Sequence, residues 1–368
     1  MTTYLLAGGG TAGHVNPLLA TADRLREVEP GAVILVLGTA EGIEARLVPA
    51  RGYELLTVAR LPFPRRPNRA ALRFLGRLRA AVLGVRAIIR ERGVDVVVGF
   101  GGYASAPAYL AARAEKVPIV IHEANAKPGI ANRLGARFTS FVGVAHRSAR
   151  IRGARFVGMP LRREVERLDR IAARDEARSL FGFSADQPVL LVTGGSTGAR
   201  TINATIAATV PLLLGAGWQV LHIAGEKSET KDPHLAGYVL LRYCDRMELA
   251  LAVADLAVSR AGSATVSEFA AIGLPAVYIP YPVGNGEQRF NAKDVVEAGG
   301  GILIDDADFT PAWVAGQLVP LVLDRASIAE MAARTATVGV LDGADRMVAL
   351  VQGALLGADP DRRLKSSR

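Results

Sequence analysis

The chain has 368 residues, half of them hydrophobic, with 21% charged and 6% aromatic side chains; this excludes a disordered tail, a collagen or a small stapled domain. A single cysteine, Cys244, excludes an intrachain disulfide framework and a cysteine-built zinc site, and fits a reducing compartment. The formal charge of +9 invites a polyanionic partner: nucleic acid, an anionic bilayer or a phosphorylated substrate.

The N-terminus lacks a basic lead and reaches glycines after a few apolar residues, so it does not read as a signal peptide. No apolar stretch approaches the roughly 18 residues of a spanning helix. Apolar runs at residues 4–7, 33–37, 94–99, 119–122, 189–193, 220–224, 256–259 and 276–280 predict strands buried on both faces, hence parallel sheets covered by helices. The opening pattern of strand and glycine loop at 4–13 restarts at 189–198. The fold class is therefore α/β, with two doubly wound parallel-sheet domains. Gly158-Met-Pro160 marks the junction, giving domains at 1–161 and 162–341, with 359–368 a polar, frayed tail.

Between Arg60 and Arg92 arginines recur against one acid, Glu91, interleaved with apolar residues after a proline-rich lead-in. Such a basic amphipathic helix can lay its apolar stripe on its own sheet, offer a membrane-surface patch, or do both with different faces. Nucleic acid is disfavoured, because no base-stacking aromatic array or binding motif accompanies the charge.

Gly8-Gly-Gly-Thr-Ala-Gly13 satisfies the dinucleotide fingerprint G-x-G-x-x-G, but the acid expected on the ribose arrives late, at Glu41. A glycine loop opening a helix suits any diphosphate. His14 directly follows the last glycine, where a dinucleotide fold usually takes a small or apolar residue. Loops at 99–103 and 194–200 repeat the pattern, the latter without the Gly-Lys-Ser/Thr of a Walker A loop, so two phosphorylated ligands are expected. In Ser259 to Glu268, Thr265 and Glu268 spell a capping box; alternatively the hydroxyls hold a phosphate and Glu268 accepts both hydroxyls of a ribose.

Gly8 to Pro17, Gly99-Phe-Gly-Gly-Tyr-Ala-Ser105, His122-Glu-Ala-Asn125, Gly194-Gly-Ser-Thr-Gly-Ala199, Ser263 to Glu268 and Gln288 to Asn291 together resemble the MurG family. Its members are peptidoglycan N-acetylglucosaminyltransferases that convert lipid I to lipid II. The resemblance implies a GT-B fold, two Rossmann-like domains facing a cleft, with a C-terminal helix near 342–358 crossing back onto the first. It implies inverting transfer of GlcNAc from UDP-GlcNAc to the C4 hydroxyl of MurNAc in undecaprenyl-diphosphate-MurNAc-pentapeptide. Carried over by motif, Thr11, Ala12, Gly13, Asn125, Arg162, Ser196, Cys244, Ser263, Ala264, Thr265, Val266, Ser267, Glu268 and Gln288 bind the donor, Cys244 through its backbone to uracil. Gly10, Gly101, Gly102 and Tyr103 take the acceptor side, with Glu123. Ala12, Thr197 and Glu287 depart from residues common in the family at those places.

Inversion in one displacement needs a base on the acceptor hydroxyl and stabilisation of leaving UDP, not a carboxylate nucleophile. His14 is the expected base and Glu123 the reserve. No cofactor or catalytic metal is expected: Asp306-Ala-Asp308 precedes Thr310-Pro311, a helix cap and first-turn proline, and reads as a solvated loop. The implied partners are UDP-GlcNAc, lipid I, anionic inner-membrane lipids, and proteins of cell-wall synthesis or division. Phe63, Phe74, Leu75 and Leu78 with Arg73 and Arg77 form the expected patch on the cytoplasmic face of the membrane. The rivals are a UDP-GlcNAc 2-epimerase on the same fold, a NAD-dependent oxidoreductase, and a non-catalytic nucleotide-sugar binder.

Overall fold

The computed structural model describes residues 1–63, 69–195, 198–283 and 286–357, and of residues 69–73 only the backbone. The expected frayed tail lies outside the described residues. The chain divides into two compact units: residues 1–162 with the segment that begins at Asp342, and Arg163–Leu341.

The first unit holds strands β1 (Thr3–Ala7), β2 (Val33–Gly38), β3 (Glu54–Thr57), β4 (Val96–Gly99), β5 (Ile119–Glu123), β6 (Val142–Val144) and β7 (Ala154–Phe156). They form a parallel sheet in the order β3-β2-β1-β4-β5-β6-β7. The second unit holds β8 (Val189–Thr193), β9 (Gln219–Ile223), β10 (Tyr238–Leu241), β11 (Leu256–Ser259), β12 (Ala276–Tyr278) and β13 (Gly301–Leu303). These are again parallel, in the order β10-β9-β8-β11-β12-β13.

Alternation along β1 explains its unbroken apolar run. Tyr4 and Leu6 point into one core layer with the helices Ala12–Val28 and Gly343–Leu355. Leu5 and Ala7 point into the other, which includes Val85 and Ile89 of the helix Arg69–Glu91 and Ala108 and Tyr109 of Ser105–Glu115. The C-terminal helix therefore completes the core of the first unit, its buried Met347, Val348 and Val351 lying in the layer of Val15 and Leu18. Arg24 bonds Asp345 beside that contact. A single cluster spanning Leu190, Ile202, Trp218 and Val258 forms one core layer of the second unit, and Trp218 donates its indole N–H to Val322 O at 2.8 Å.

All eight predicted strands are present, with ends shifted by at most two residues. Five strands were not predicted: β3, β6, β7, β10 and β13. Four of them stand at sheet edges and carry half-exposed or exposed residues, so their sequences lack the unbroken apolar run; β6 is buried but only three residues long.

In each sheet the strand order reverses beside the strand that starts the unit, at β1/β4 and at β8/β11. Register sets Ala7 against Gly99 and Thr193 against Ser259, so the loops that leave each pair lie side by side at the carboxyl edge. Such switch points are where open α/β sheets bind ligands. All three glycine loops and the Ser259 segment occupy them.

Candidate active site

In the first unit the loop after β1 leads into the helix Ala12–Val28, whose N-cap, Thr11, is extended and makes no side-chain cap. Its hydroxyl instead lies 3.2 Å from His14 Nδ1, which is also 3.2 Å from Gly9 O. A carbonyl only accepts, so this contact requires a proton on Nδ1 and leaves Nε2 unprotonated in the neutral ring. The Nε2 side faces the second loop: a Cβ on Gly101 would stand 3.1 Å from Nε2. Gly101 and Gly102 both have positive φ, +92° and +81°, and a Cβ on Gly102 would collide with the Gly9 backbone. Glycine is required there because the loops touch backbone to backbone. Ser105 ties the second loop down: its Oγ accepts the Gly101 N–H at 3.0 Å and lies 2.9 Å from Ala7 O.

Glu123 ends β5 as a buried carboxylate. It accepts from Asn125 N, Gly129 N and Asn132 Nδ2, each at 2.9 Å, and Asn132 in turn accepts the Tyr109 hydroxyl at 2.7 Å. Burial pushes the Glu123 carboxyl above its usual range, while these hydrogen bonds and the neighbouring His14 pull it back. The carboxylate that the sequence offers as a reserve base also organises the 123–132 turn. Two further residues were not anticipated. Glu44 is buried and bonds Gly10 N and Thr39, and Arg60 lies over the Tyr103 ring, 5.0 Å from its centroid.

In the second unit the helices Arg200–Gly215 and Ser263–Ala271 leave β8 and β11 with Ala199 and Gly262 as N-caps and no side-chain cap on either. Their N-terminal amides suit a diphosphate. Because that second helix begins at Ser263, Thr265 sits inside its first turn, and the capping box read from Thr265 and Glu268 is not formed. Gly262, extended at ψ 140°, fixes the earlier start. Gly198 has φ +80°, and a Cβ there would strike Ala224 O, so the third loop too is closed by glycine. Gln288 Oε1 accepts Tyr281 N–H at 2.9 Å, which directs its amide nitrogen elsewhere. Cys244 is half-buried. Ser196 and Thr197 lie outside the described residues.

The expected loop at Asp306-Ala-Asp308 is exposed at Ala307 and Asp308, and Asp306 departs from it in part. Thr310 does cap the following helix by accepting Trp313 N–H, with Pro311 behind it. Asp306, however, is only partly exposed: it pairs with Arg260 at 2.5 Å and accepts Thr201 Oγ1–H at 2.8 Å. Arg260 also donates to Ile279 O and Pro280 O, so this pair braces the loops after β11, β12 and β13.

Two buried histidines give the protein an acid-sensitive fold. Burial lowers His122 to about 4, its Nε2–H donating to Gly158 O at 3.0 Å; burial likewise lowers His222 to about 4. Both rings are neutral when folded and take up protons more readily when unfolded, so stability is lost as pH falls from about 6.5 towards 4, on the order of 3 kcal/mol per ring. Glu123, raised by burial, works in the opposite sense. Denaturant midpoints measured across that window should fall, and His122→Gln with His222→Gln should flatten the slope. An unchanged slope would contradict the assignment.

The Glycosyltransferase family 28 N-terminal domain matches residues 4–144, and the family 28 C-terminal domain matches residues 189–347. A relative from Leifsonia xyli is 66% identical over 97% of this chain and 100% of its own length. One from Paenarthrobacter aurescens is 51% identical over 96% of each chain. Both bear the name UDP-N-acetylglucosamine--N-acetylmuramyl-(pentapeptide) pyrophosphoryl-undecaprenol N-acetylglucosamine transferase. Among solved structures, MurG of Acinetobacter baumannii superimposes with a TM-score of 0.79 at 25% identity, covering 96% of this chain and all of that one. A Listeria monocytogenes protein named provisionally as a UDP-N-acetylglucosamine 2-epimerase reaches 0.66 at 12% identity, covering 98% of each chain, which is a likeness of fold alone.

Proposed function

The chain belongs to the MurG family of family 28 glycosyltransferases, with a GT-B fold, and from that footing we propose how its residues divide the reaction. It is a hexosyltransferase of peptidoglycan synthesis that moves GlcNAc from UDP-GlcNAc onto lipid I to form lipid II. The observation that carries this is the relative at 66% identity spanning 97% of the chain; the epimerase reading has only a likeness of fold behind it.

His14 is the general base. Its Nε2 takes the proton from the MurNAc C4 hydroxyl as that oxygen bonds the anomeric carbon, and the bond to UDP breaks with its electron pair leaving on the diphosphate. The configuration inverts because attack and departure lie on opposite faces. What supports the role is an imidazole whose Nδ1 is held against Gly9 O while Nε2 faces Gly101. Gly10, Gly101, Gly102 and Tyr103 serve the acceptor, and Glu123 shapes the turn that presents Asn125. The N-termini at Arg200 and Ser263 receive the leaving diphosphate, and Glu268 takes the ribose hydroxyls. The backbone at Cys244 reads uracil, and the Gln288 amide meets the sugar. Thr11, Ala12, Gly13 and Arg162 complete the donor contacts. Lipid II recovered from purified protein, UDP-GlcNAc and a lipid I analogue, with a β-linked disaccharide by NMR, tests this; an α linkage or a 2-epimer product would reject it.

Among the described residues no helix is long and apolar enough to cross a membrane. The protein reaches its lipid-linked acceptor from the cytoplasmic face through the start of the helix Arg69–Glu91. There Phe63 and Leu75 are 59% and 66% exposed, Phe63 packs edge-on against half-buried Phe74 at 5.4 Å, and Leu78 is half-buried. Arg77 is exposed and donates to Arg60 O, so the patch adjoins the arginine that covers Tyr103. The Arg73 side chain lies outside the described residues. Farther along, Val85 and Ile89 are buried and Arg86 and Arg90 pair with Glu115, so that half packs on its own sheet. Leu75→Glu with Arg77→Glu should weaken sedimentation with anionic vesicles at least about tenfold. Unchanged binding would remove the patch.

A further inference from the structure

Glu44 lies in the short helix Glu44–Ala50, well beyond the strand that precedes it, yet its side chain folds back under the first glycine loop. Oε2 accepts the Gly10 N–H at 2.9 Å, and Oε1 accepts Thr39 N–H at 2.9 Å and Thr39 Oγ1–H at 2.7 Å. The side chain is fully buried; a Cβ on Gly9 or Gly42 would run into its carboxylate, and one on Gly38 into its Cγ. Three glycines thus make room for one acid. Burial pushes the Glu44 carboxyl up, but the hydrogen bonds from Gly10 and Thr39 outweigh it and hold the group below the usual carboxylate range, ionised at neutral pH.

The Gly10 N–H belongs to the same peptide group as Gly9 C=O, the carbonyl that faces His14 Nδ1 at 3.2 Å. In a trans peptide these two groups point in opposite directions, so Glu44 and His14 bind the two ends of one amide plane. We propose that Glu44 is a positioning residue for His14: acting through the Gly9–Gly10 peptide, it fixes the imidazole as its Nδ1–H tautomer and leaves Nε2 to take the acceptor's proton. The inference rests on His14 as base. An anion at the amide N–H polarises the carbonyl, strengthens its bond to Nδ1–H and favours the imidazolium formed in the reaction. No proton crosses the peptide: Nδ1 keeps its own, Nε2 gains one, and Glu44 stays ionised throughout. This gives a carboxylate and a histidine the mutual roles they have in a hydrolase triad, with an amide between them.

Other charges face the two groups and enter the test. Glu123 and His122 act on His14, and Arg60 lies near Glu44 and Glu41. The chain has five histidines, so nitrogen-15 spectra of the labelled protein can isolate His14 by difference against His14→Gln. The wild type should show the Nδ1–H tautomer. In Glu44→Gln, which keeps the size of the side chain, the Nε2–H tautomer of His14 should appear beside it. Its kcat should drop at least about tenfold, with the change in the pH profile on its acid side, where a base is lost to protonation, and KM for UDP-GlcNAc little changed. Thr39→Val removes a bond to Glu44 but no charge and should leave the His14 tautomer in place. An Nε2–H tautomer in the wild type, which needs no variant to fold, would overturn the proposal, as would an unchanged His14 tautomer in folded Glu44→Gln. Should His14→Gln keep full turnover while both tautomer results hold, the base assignment fails and the coupling stands.

Discussion

His14→Ala should lower kcat by about 10²- to 10⁴-fold, the range over which a positioned base contributes, while UDP-GlcNAc binding changes little. On the proposed division of roles the loss falls on kcat, because the imidazole would meet the acceptor oxygen as the bond forms while helix N-termini of the second unit would hold the donor's diphosphate. The fold should survive, since His14 is only half-buried and, among the described residues, bonds Thr11 and Gly9 alone. Glu123→Gln should behave differently. Its carboxylate closes three hydrogen bonds in a buried turn, so the variant should lose stability before any chemistry is tested. Turnover by His14→Ala close to wild type, in a protein that still melts cooperatively, would remove His14 from the mechanism.

Gly102→Ala should be the more damaging substitution for the site as a whole. At φ +81° an alanine is strained, and its Cβ would collide with the Gly9 backbone, which cannot swing aside as a side chain can. The two loops must part. Since Gly9 O orients His14 and Gly101 borders Nε2, a displacement of about 1 Å is expected to cost about 100-fold in kcat/KM, with about 2–4 kcal/mol of stability. Gly52→Ala is the control: φ is +75° but nothing lies within 4 Å, so it carries the backbone strain without the collision. Equal effects for the two variants would show that strain alone, not the contact between loops, is at work.

The sequence made the strands and glycine loops legible for a physical reason. A central strand buried on both faces must be apolar throughout, and a loop whose backbone touches another backbone must be glycine. The edge strands β3, β7, β10 and β13 escaped because half-exposed positions break the run. His14 stood out by its place after Gly13. Glu44 did not, because a search for a ribose-binding acid stops at Glu41, and its role appears only once the chain folds back beneath Gly10. Arg60 was read as one charge in a basic run, and only the structure sets it over Tyr103. Asp306 looked like loop solvent exposure, yet three strand ends converge on its pair with Arg260. Sequence spacing reveals periodic elements; it does not reveal which distant acid meets which loop.

The most direct test of the account is UDP release from UDP-GlcNAc by the wild-type protein, with and without a detergent-solubilised lipid I analogue. Release that requires the analogue, matched mole for mole by lipid II, is the predicted result. A protein that binds UDP-GlcNAc but releases UDP or forms its 2-epimer equally well without the analogue would contradict the transferase assignment and the proton transfer built on it.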